Sequence, residues 1–375
     1  MKRVVLGIDL GMCNSRVADI DEFHRPFVIP DREGKATTPS VVHFFDKDSF
    51  VVGDEAVHML MVDQTNTACF IKHNMGNFDF KLNIHGREYT PQEISALILI
   101  KLRRDAESYF IDLGMDAEIK DAVITVPSHF GMEQREATKE AGELAGLNVL
   151  SLINESTAAA LAFGINRLGE DQTVFVFDLG GGTFDVTILD IKRNEINIVA
   201  CDGSPRLGGK DWDDVLVRHC SNVFKEKHGI DPLDDPNSYQ ELYDRVLKGK
   251  LSLSARPKTV IMVRHEGNRE TVEISRAEFE ELSKELLSEC MTKCKKVMER
   301  AQKTWNDIDA VLLVGGSTQM PMIRDMIKEI SDKEPSTPEN PGQCVAIGAA
   351  YSGHYIPGQG RCEACEKHFK KSKGT

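Results

Sequence analysis

The chain has 375 residues, with 46 lysine and arginine residues against 59 aspartate and glutamate residues, a net charge of −13. An acidic chain repels phosphate backbones, which argues against nucleic-acid binding through bulk charge. Apolar runs such as 123–126 and 311–314 are far shorter than the ~20 residues that cross a membrane. Nine cysteines without a secretory signal are typical of reduced thiols, so we expect a cytoplasmic protein.

Predicted strands and helices alternate along the whole chain. Short apolar runs predict strands, and apolar positions three and four residues apart predict helices. The predicted strands span residues 2–10, 15–19, 122–126, 174–177, 186–191, 260–263 and 310–314. The predicted helices span residues 91–110, 132–145, 155–163, 212–226, 276–302 and 322–331. This alternation is typical of an α/β architecture.

One motif occurs twice. An apolar strand ends in Asp9-Leu10-Gly11, and a second ends in Asp178-Leu179-Gly180, 169 residues later. Each copy then turns and continues as another strand. The simplest interpretation is a duplicated fold of two lobes with a cleft between them.

Glycine-rich turns follow both strands. Gly180, Gly181 and Gly182 lack a Cβ, so their N–H groups can approach an anion closely, and the Thr183 hydroxyl can orient a phosphate oxygen or water. Asp9 and Asp178 at the strand ends are suited to hydrated Mg²⁺, which takes few carboxylates. A plain glycine hairpin is the alternative interpretation. The pair of copies is more informative than either alone.

Two further glycine elements follow along the chain. Gly208 and Gly209 form one, and Gly315, Gly316 and Ser317 form the other, where a strand ends and a helix begins. Small residues there allow a nucleotide to pack against a helix N-terminus. The sequence contains neither a phosphate-loop lysine motif nor a dinucleotide-binding turn.

These segments resemble the seventy-kilodalton heat-shock chaperone (DnaK) family, in its ATPase domain. The matching segments are 7–11, 36–40, 123–127, 134–139, 153–155, 157–160, 177–186 and 311–321, and the likeness runs from residue 2 to about 355. The resemblance implies an α/β fold of two duplicated ribonuclease-H-like lobes, as in actin-like ATPases. The lobes surround a nucleotide cleft, and each carries an inserted subdomain.

The resemblance also implies roles for individual residues. Lys72 is expected at the γ-phosphate and attacking water, with Glu155 beside it, and Asp9 and Asp178 around hydrated Mg²⁺ and potassium. Pro127 and Arg135 match a relay toward a partner domain. The residues expected to bind ATP or ADP are Gly11, Met12, Cys13, Asn14, Gly180, Gly181, Gly182, Thr183, Gly208, Gly209, Arg245, Lys248, Ser252, Gly315, Gly316, Ser317 and Gln319.

Several positions depart from the family pattern. Two threonine hydroxyls beside the phosphates are replaced by Met12 and Cys13, and two arginines around adenine by Gly249 and Gln319. Arginine stacking contributes ~0.5–2 kcal/mol per contact, so adenine preference is less secure than phosphate binding. Further departures are Asn14 for an aromatic residue, Ser156 for proline, and Arg245 and Gly342 for acidic residues.

The resemblance predicts the lobe boundaries. Lobe I comprises residues 1–167, with core 1–38 and 96–167 and insert 39–95, closed by 338–357. Lobe II comprises 168–337, with core 168–207 and 284–337 and insert 208–283. Residues 358–375 are expected to form a flexible tail, because Cys362, Cys365 and His368 fall short of the usual four zinc ligands.

The expected function is slow ATP hydrolysis that switches conformation and regulates a peptide-binding partner domain absent from this chain. The resemblance implies J-domain co-chaperones and nucleotide-exchange factors as partners of a monomer. A domain cut from a longer protein and a natural ATPase-only relative both remain open. Alternative hypotheses are a non-hydrolysing nucleotide sensor or scaffold, and an actin-like filament former or sugar kinase.

Overall fold

The computed structural model describes residues 2–60, 62–164, 171–192, 195–338 and 340–354. Its helices are α1 (Asp54–Met59), α2 (Pro91–Asp112), α3 (Met132–Leu144), α4 (Glu155–Gly164), α5 (Gly209–His228), α6 (Pro236–Ala255), α7 (Arg276–Leu282), α8 (Lys284–Ala301), α9 (Pro321–Ser331) and α10 (Cys344–His354). Its strands are β1 (Lys2–Asp9), β2 (Asn14–Ile20), β3 (Pro26–Ile29), β4 (Thr38–Pro39), β5 (Val42–Phe44), β6 (Phe50–Val52), β7 (Thr67–Ala68), β8 (Leu82–Ile84), β9 (Arg87–Tyr89), β10 (Ala117–Val126), β11 (Asn148–Asn154), β12 (Gln172–Leu179), β13 (Phe184–Lys192), β14 (Glu195–Ser204), β15 (Lys258–His265), β16 (Asn268–Ser275) and β17 (Ala310–Val314).

Two sheets share one topology. The first has the order β11-β10-β1-β2-β3, with β4 pairing β2, and the second has the order β14-β13-β12-β17. In each sheet the first strand of the repeated motif, β1 or β12, has an antiparallel neighbour that follows it and a parallel neighbour from later in the chain. The duplication predicted from sequence is therefore present in the fold, as two α/β lobes.

The repeated strands are buried on both faces. Their continuous apolar runs bury adjacent positions, such as Leu6 and Gly7 in β1 and Val176 and Phe177 in β12, whose faces alternate. Such runs suit a strand that is covered on both sides rather than an edge strand. Outer helices cover one face of each sheet, in separate apolar clusters with α2 and α3 on the first sheet and α5, α8 and α9 on the second.

Helices α4 and α10 lie between the two sheets. Apolar residues of α4 pack on β12 and β17, and those of α10 pack on β2 and also reach the second sheet. The two helices cross closely, because a Cβ placed on Gly348 would come 1.7 Å from the carbonyl oxygen of Ala158. This crossing joins the sheets around a small shared core.

Smaller elements lie outside the two sheets. Strands β5 to β9 and α1 fall within residues 42–89, and α5, α6 and the β15–β16 hairpin fall within 209–275. These ranges correspond to the predicted inserts, while the lobe boundaries themselves stay predictions. The predicted boundary at 167–168 and the tail at 358–375 lie outside the described residues.

Each predicted strand and helix corresponds to observed structure, but several observed elements, including α6, α10, β11, β14 and β16, were not predicted. The helix predicted over 276–302 is divided at Ser283, a buried residue between α7 and α8. Helix α6 was not predicted, although Asp235 caps its N-terminus by accepting a hydrogen bond from the Ser238 N–H and Pro236 opens it. Within the described residues, no helix is long and apolar enough to span a membrane.

Candidate functional site

A cavity of about 210 Å³ opens where the two sheets face each other. It is bounded by the ends of β1 and β12, the turns that follow them, and the start of α10. The residues that line it are Asp9, Gly11, Met12, Cys13, Asn14, Arg16, Lys72, Glu155, Asp178, Gly180, Gly181, Thr183, Gly315, Gly316, Ser317, Pro341, Gly342 and Val345. The duplicated motif thus brings two equivalent strand ends to one cavity.

Two glycine segments meet at the cavity floor. We call residues 11–14 the first glycine segment and residues 180–183 the glycine hairpin. A Cβ on Gly181 would come 2.5 Å from the Cys13 Sγ, and one on Gly182 would come 2.6 Å from the Met12 Cγ. Glycine is required at both positions, because the opposing segment packs directly against the hairpin backbone.

Main-chain hydrogen bonds hold the glycine hairpin. The N-terminus of α5 donates to it, from the Gly209 N–H to the Gly180 carbonyl at 2.9 Å and from the Lys210 N–H to the Gly181 carbonyl at 2.8 Å. The Ser317 hydroxyl also donates to the Gly180 carbonyl, at 2.8 Å. Gly208 and Gly209 therefore support the hairpin from behind, without lining the cavity themselves.

Lys72 and Glu155 form a buried ion pair on the cavity wall. Lys72 lies in a 3-10 turn, Ile71–Asn74, and Glu155 is the first residue of α4. The Lys72 Nζ donates to the Glu155 Oε1 at 2.7 Å and to the Leu10 carbonyl at 2.6 Å. Both side chains are almost fully buried. The pair thus joins the end of the first motif strand to α4.

Three further carboxylates lie near this pair. Asp9 ends β1, and Asp178 lies opposite Asp185 in the β12–β13 ladder. Burial raises the pKa of Asp178 well above its ordinary value, and repulsion from Glu155, Asp185 and Asp9 raises this pKa further. Burial also raises the pKa of Asp9, which Arg16 and then Lys72 oppose, and that of Glu155, which Lys72 opposes. This excess of buried negative charge favours a bound cation.

The donor set fits a hydrated divalent cation. Among the described residues, the charged side chains that line the cavity are Asp9, Glu155 and Asp178 against Lys72 and Arg16. Mg²⁺ prefers carboxylate and water oxygens and keeps most of its waters. Asp178, and Asp9 beside the more distant Arg16, are the carboxylates that such an ion could approach, since Lys72 contacts Glu155 closely.

The third glycine element closes the cavity beside Asp178. Gly315 has a φ of 85°, and a Cβ there would come 2.3 Å from the Leu179 carbonyl oxygen. Its N–H faces the Pro341 carbonyl at 3.4 Å. Gly316 is exposed at the cavity rim, with no atom near its Cβ position. The segment brings β17 next to the segment that precedes α10.

Besides Gly182, Gly208 and Gly209, four predicted nucleotide-binding residues do not line the cavity. Gln319 and Lys248 are exposed, and Ser252 is half-buried on α6. The Arg245 guanidinium donates to the Met262 carbonyl at 3.0 Å and pairs with the Glu241 carboxylate. The structure therefore does not bring Arg245, Lys248, Ser252 or Gln319 together with the strand-end residues.

Lys250 is the lysine of α6 that reaches this region, and sequence reasoning missed it. Its Nζ donates to the Gly209 carbonyl at 2.6 Å and lies 2.7 Å from the Asp213 Oδ1. The available signal was its spacing from Val246 and Leu253, which places a lysine on the buried face of the helix.

Pro127 and Arg135 lie behind the Lys72–Glu155 pair. Pro127 is buried directly after β10, and Arg135 is on α3. The Arg135 Nε donates to the Phe130 carbonyl at 2.9 Å, and its Nη2 bonds the Asn154 side chain. Because Asn154 directly precedes Glu155, Arg135 contacts the residue next to the ion pair.

Arg16 and His129 were also missed by sequence reasoning. The Arg16 Nη1 lies 3.5 Å from the Asp9 Oδ2 inside the cavity. The His129 Nδ1 lies 3.0 Å from the Asp185 Oδ1, so a loop next to the first sheet contacts a strand of the second. Neither residue belongs to a recognised motif, and only the pairing of strands and loops reveals them.

Comparisons with known proteins agree with this geometry. A family model described as Hsp70 protein matches residues 5–365. The chain is similar to the chaperone protein DnaK of Thermosipho melanesiensis (42% identical over 364 residues, 96% of this chain and 60% of that protein) and of Thermotoga neapolitana (43% identical over 364 residues, 95% and 60%). The chain thus spans 60% of the length of these curated relatives.

Proposed function

This chain belongs to the Hsp70 family, and on that premise we propose that it binds ATP between its two sheets and hydrolyses it to ADP and phosphate. One observation carries the proposal. The Lys72–Glu155 ion pair lies in a cavity floored by two glycine segments and flanked by Asp9 and Asp178. Phosphoryl transfer needs positioning of water and neutralisation of charge rather than covalent catalysis.

Each cavity residue would have a definite task. The Lys72 Nζ would contact the γ-phosphate and the attacking water, and the Glu155 carboxylate would orient that water. The N–H groups of the glycine hairpin would receive phosphate oxygens, and Thr183 would add its hydroxyl. The rigid anchorage of Lys72 on the Leu10 carbonyl supports this arrangement, because catalytic donors act best when they are already in place.

Magnesium would be held by Asp9 and Asp178 through its waters. When bound, it would supply positive charge to the phosphates. The crowding of carboxylates described above supports this assignment, because a cation relieves their mutual repulsion.

We propose that the residues around the nucleobase contribute less to ATP affinity here than the arginines that the family has at these positions. Gly249 and Gln319 stand where the family has arginines, and Lys250 rather than Lys248 reaches the region next to Ser317. The phosphates would then supply most of the affinity for ATP, and discrimination among nucleobases would be modest.

Regulation of a peptide-binding partner is a further part of the proposal. The curated relatives are named as chaperones and are longer than this chain. J-domain co-chaperones and nucleotide-exchange factors would act on the ATPase cycle of a cytoplasmic monomer. The path from Glu155 through Asn154 to Arg135, with Pro127 beside it, supports the proposed relay.

Single-turnover hydrolysis of ATP with Mg²⁺ tests the proposal. Wild-type chain should release phosphate slowly, and Lys72→Ala should bind a fluorescent ATP analogue without releasing phosphate. Lys258→Ala, which removes an exposed lysine of β15 instead, is the matched control and should hydrolyse normally. Persistent turnover in Lys72→Ala would contradict the role of Lys72.

A non-hydrolysing nucleotide sensor is the second candidate. Met12 and Cys13 fill the space against the glycine hairpin where the family has threonine hydroxyls. The same experiment separates the two functions, because a sensor would bind the analogue tightly and wild-type chain would release no phosphate.

A further inference from the structure

Arg16 is a charged residue of the cavity that no motif predicted. It lies on β2, directly opposite Asp9 in the antiparallel β1–β2 ladder. Facing residues of an antiparallel pair project to the same side of a sheet, so the backbone register itself brings the two side chains together. The Arg16 Nη1 lies 3.5 Å from the Asp9 Oδ2, and the Arg16 side chain is 19% exposed.

The surroundings of Arg16 leave room for its guanidinium. A Cβ on Gly342 would come 3.1 Å from the Arg16 Nη2, so glycine at this position avoids crowding the arginine. The buried Arg16 Nε has no hydrogen-bond partner among the described residues. Arg16 is thus held by its strand and by Asp9, while its Nε donor is left without a partner among the described residues.

Two cationic side chains contact different carboxylates of the cavity. Lys72 is taken up by Glu155 and the Leu10 carbonyl. Asp9 faces Arg16 instead, and its other side-chain contact is a 3.5 Å approach of the Thr125 hydroxyl. Without Arg16, the Asp9 carboxylate would need another positive charge, because an unpaired buried carboxylate is unfavourable.

We propose that Arg16 is a built-in cation of the cleft, which neutralises Asp9 and takes the place that a bound monovalent cation would otherwise fill. Arginine suits this task because its guanidinium stays charged at every physiological pH. Nucleotide binding in this chain is then independent of potassium. The inference rests on the proposed ATP site and departs from the expectation of potassium beside these carboxylates that the family resemblance implies. Arg16 acts through Asp9 and is a positioning residue.

The test compares salts at equal ionic strength. Ligand-free chain is melted in potassium chloride and in choline chloride, whose cation is too large for the site, and the affinity for a fluorescent ATP analogue with Mg²⁺ is measured in both. We expect wild-type chain to behave alike in the two salts. Arg16→Gln should bind the analogue about tenfold more weakly in choline chloride, with potassium restoring affinity and raising the melting temperature.

Two further variants make the test specific. Arg16→Lys keeps the positive charge and should behave like wild-type chain. Gly342→Asp leaves Arg16 in place but offers it a competing carboxylate, so it should acquire the potassium dependence of Arg16→Gln. A merely structural role for Arg16 would give a general loss of stability that potassium does not reverse.

Different results overturn different conclusions. A wild-type chain that needs potassium for affinity, or an Arg16→Gln chain that ignores potassium, overturns the inference. A wild-type chain that binds no ATP analogue in either salt overturns the proposed function instead. In that case the melting temperatures of the ligand-free chains still decide the role of Arg16.

Discussion

Replacing Lys72 by alanine should destabilise the chain as well as stop turnover. The change removes an ammonium group that donates to the Glu155 carboxylate at 2.7 Å and to the Leu10 carbonyl at 2.6 Å. Lys72 is 5% exposed and Glu155 is 8% exposed, so water cannot replace the lost partner without opening the cleft. Glu155 would then remain buried beside Asp9, Asp178 and Asp185.

The magnitude follows from those contacts. Hydrogen bonds that involve a charged group contribute about 1.5–3 kcal/mol each, and breaking one side of a buried ion pair costs about 3–5 kcal/mol. We therefore expect Lys72→Ala to lower the free energy of unfolding by about 3–5 kcal/mol. At about 2–4 °C per kcal/mol for a lobe of 150–250 residues, the melting temperature should fall by roughly 6–20 °C.

The loss should depend on pH. Burial already raises the pKa of Glu155 in the folded chain, and Lys72 is the main charge that opposes this shift. Without Lys72 the pKa of Glu155 rises further above its unfolded value. An acid of this kind loses stability as the pH rises through its folded pKa. The deficit of Lys72→Ala should therefore be smaller in acid than at neutral pH.

Calorimetry or urea melts of four chains provide the assay: wild type, Lys72→Ala, Glu155→Gln and the double variant. The double variant carries no orphaned carboxylate at position 155, so it should be more stable than Lys72→Ala while remaining inactive. If Lys72→Ala and the double variant melt together at every pH, the reasoning from a buried unpaired charge is refuted.

Three other changes test separate parts of the structure. Gly182→Ala would place a methyl group 2.6 Å from the Met12 Cγ, so nucleotide affinity, measured by fluorescence titration, should fall by about 1–3 kcal/mol. Burial raises the pKa of Asp213 to about 6 from an ordinary value of 3.8, so its contribution favours folding in acid and is lost as the pH rises through about 6. The melting temperature should therefore fall as the pH rises through about 6, and Asp213→Asn should remove the share of this fall that Asp213 causes. Gly348→Ala would push a methyl group into the Ala158 carbonyl, and denaturant melts should show a loss of about 3 kcal/mol or more.

Controls and contrary results are specific to each change. Gly131→Ala is the control for Gly182→Ala and Gly348→Ala, because the nearest atom to its Cβ position is 3.9 Å away. Unchanged affinity in Gly182→Ala would contradict direct packing of the two glycine segments. An Asp213→Asn chain with the wild-type pH profile would show that another group titrates. A stable Gly348→Ala chain would contradict the close crossing of α4 and α10.

The sheets could be predicted because both of their signals are local. Continuous apolar runs mark β1 and β12, and the repeated strand-end Asp9 and Asp178 mark equivalent positions. Parallel pairing with β10 and β17 then follows from the duplication. The strand ends, the glycine segments and the Lys72–Glu155 pair meet in one cavity, as the residues and the family resemblance together predicted.

The remaining site residues depend on information that a local pattern lacks. Helix α6 was not predicted, and the family resemblance selected Lys248 although Lys250 is the lysine that faces α5. The structure turns Lys250 inward, because it lies one helical turn from Val246 and Leu253 on the buried face. Arg16 depends on the register between two strands, which a list of motifs does not contain.

The main-chain anchorage of the glycine hairpin bears on how such a site can change over evolutionary time. The bonds from Gly209 and Lys210 to the hairpin carbonyls are made by peptide groups, which every residue except proline supplies. Neither bond uses a side-chain atom, so both persist through side-chain substitutions that leave the backbone in place. Substitutions around the cavity can therefore accumulate while these main-chain bonds of the glycine hairpin stay intact.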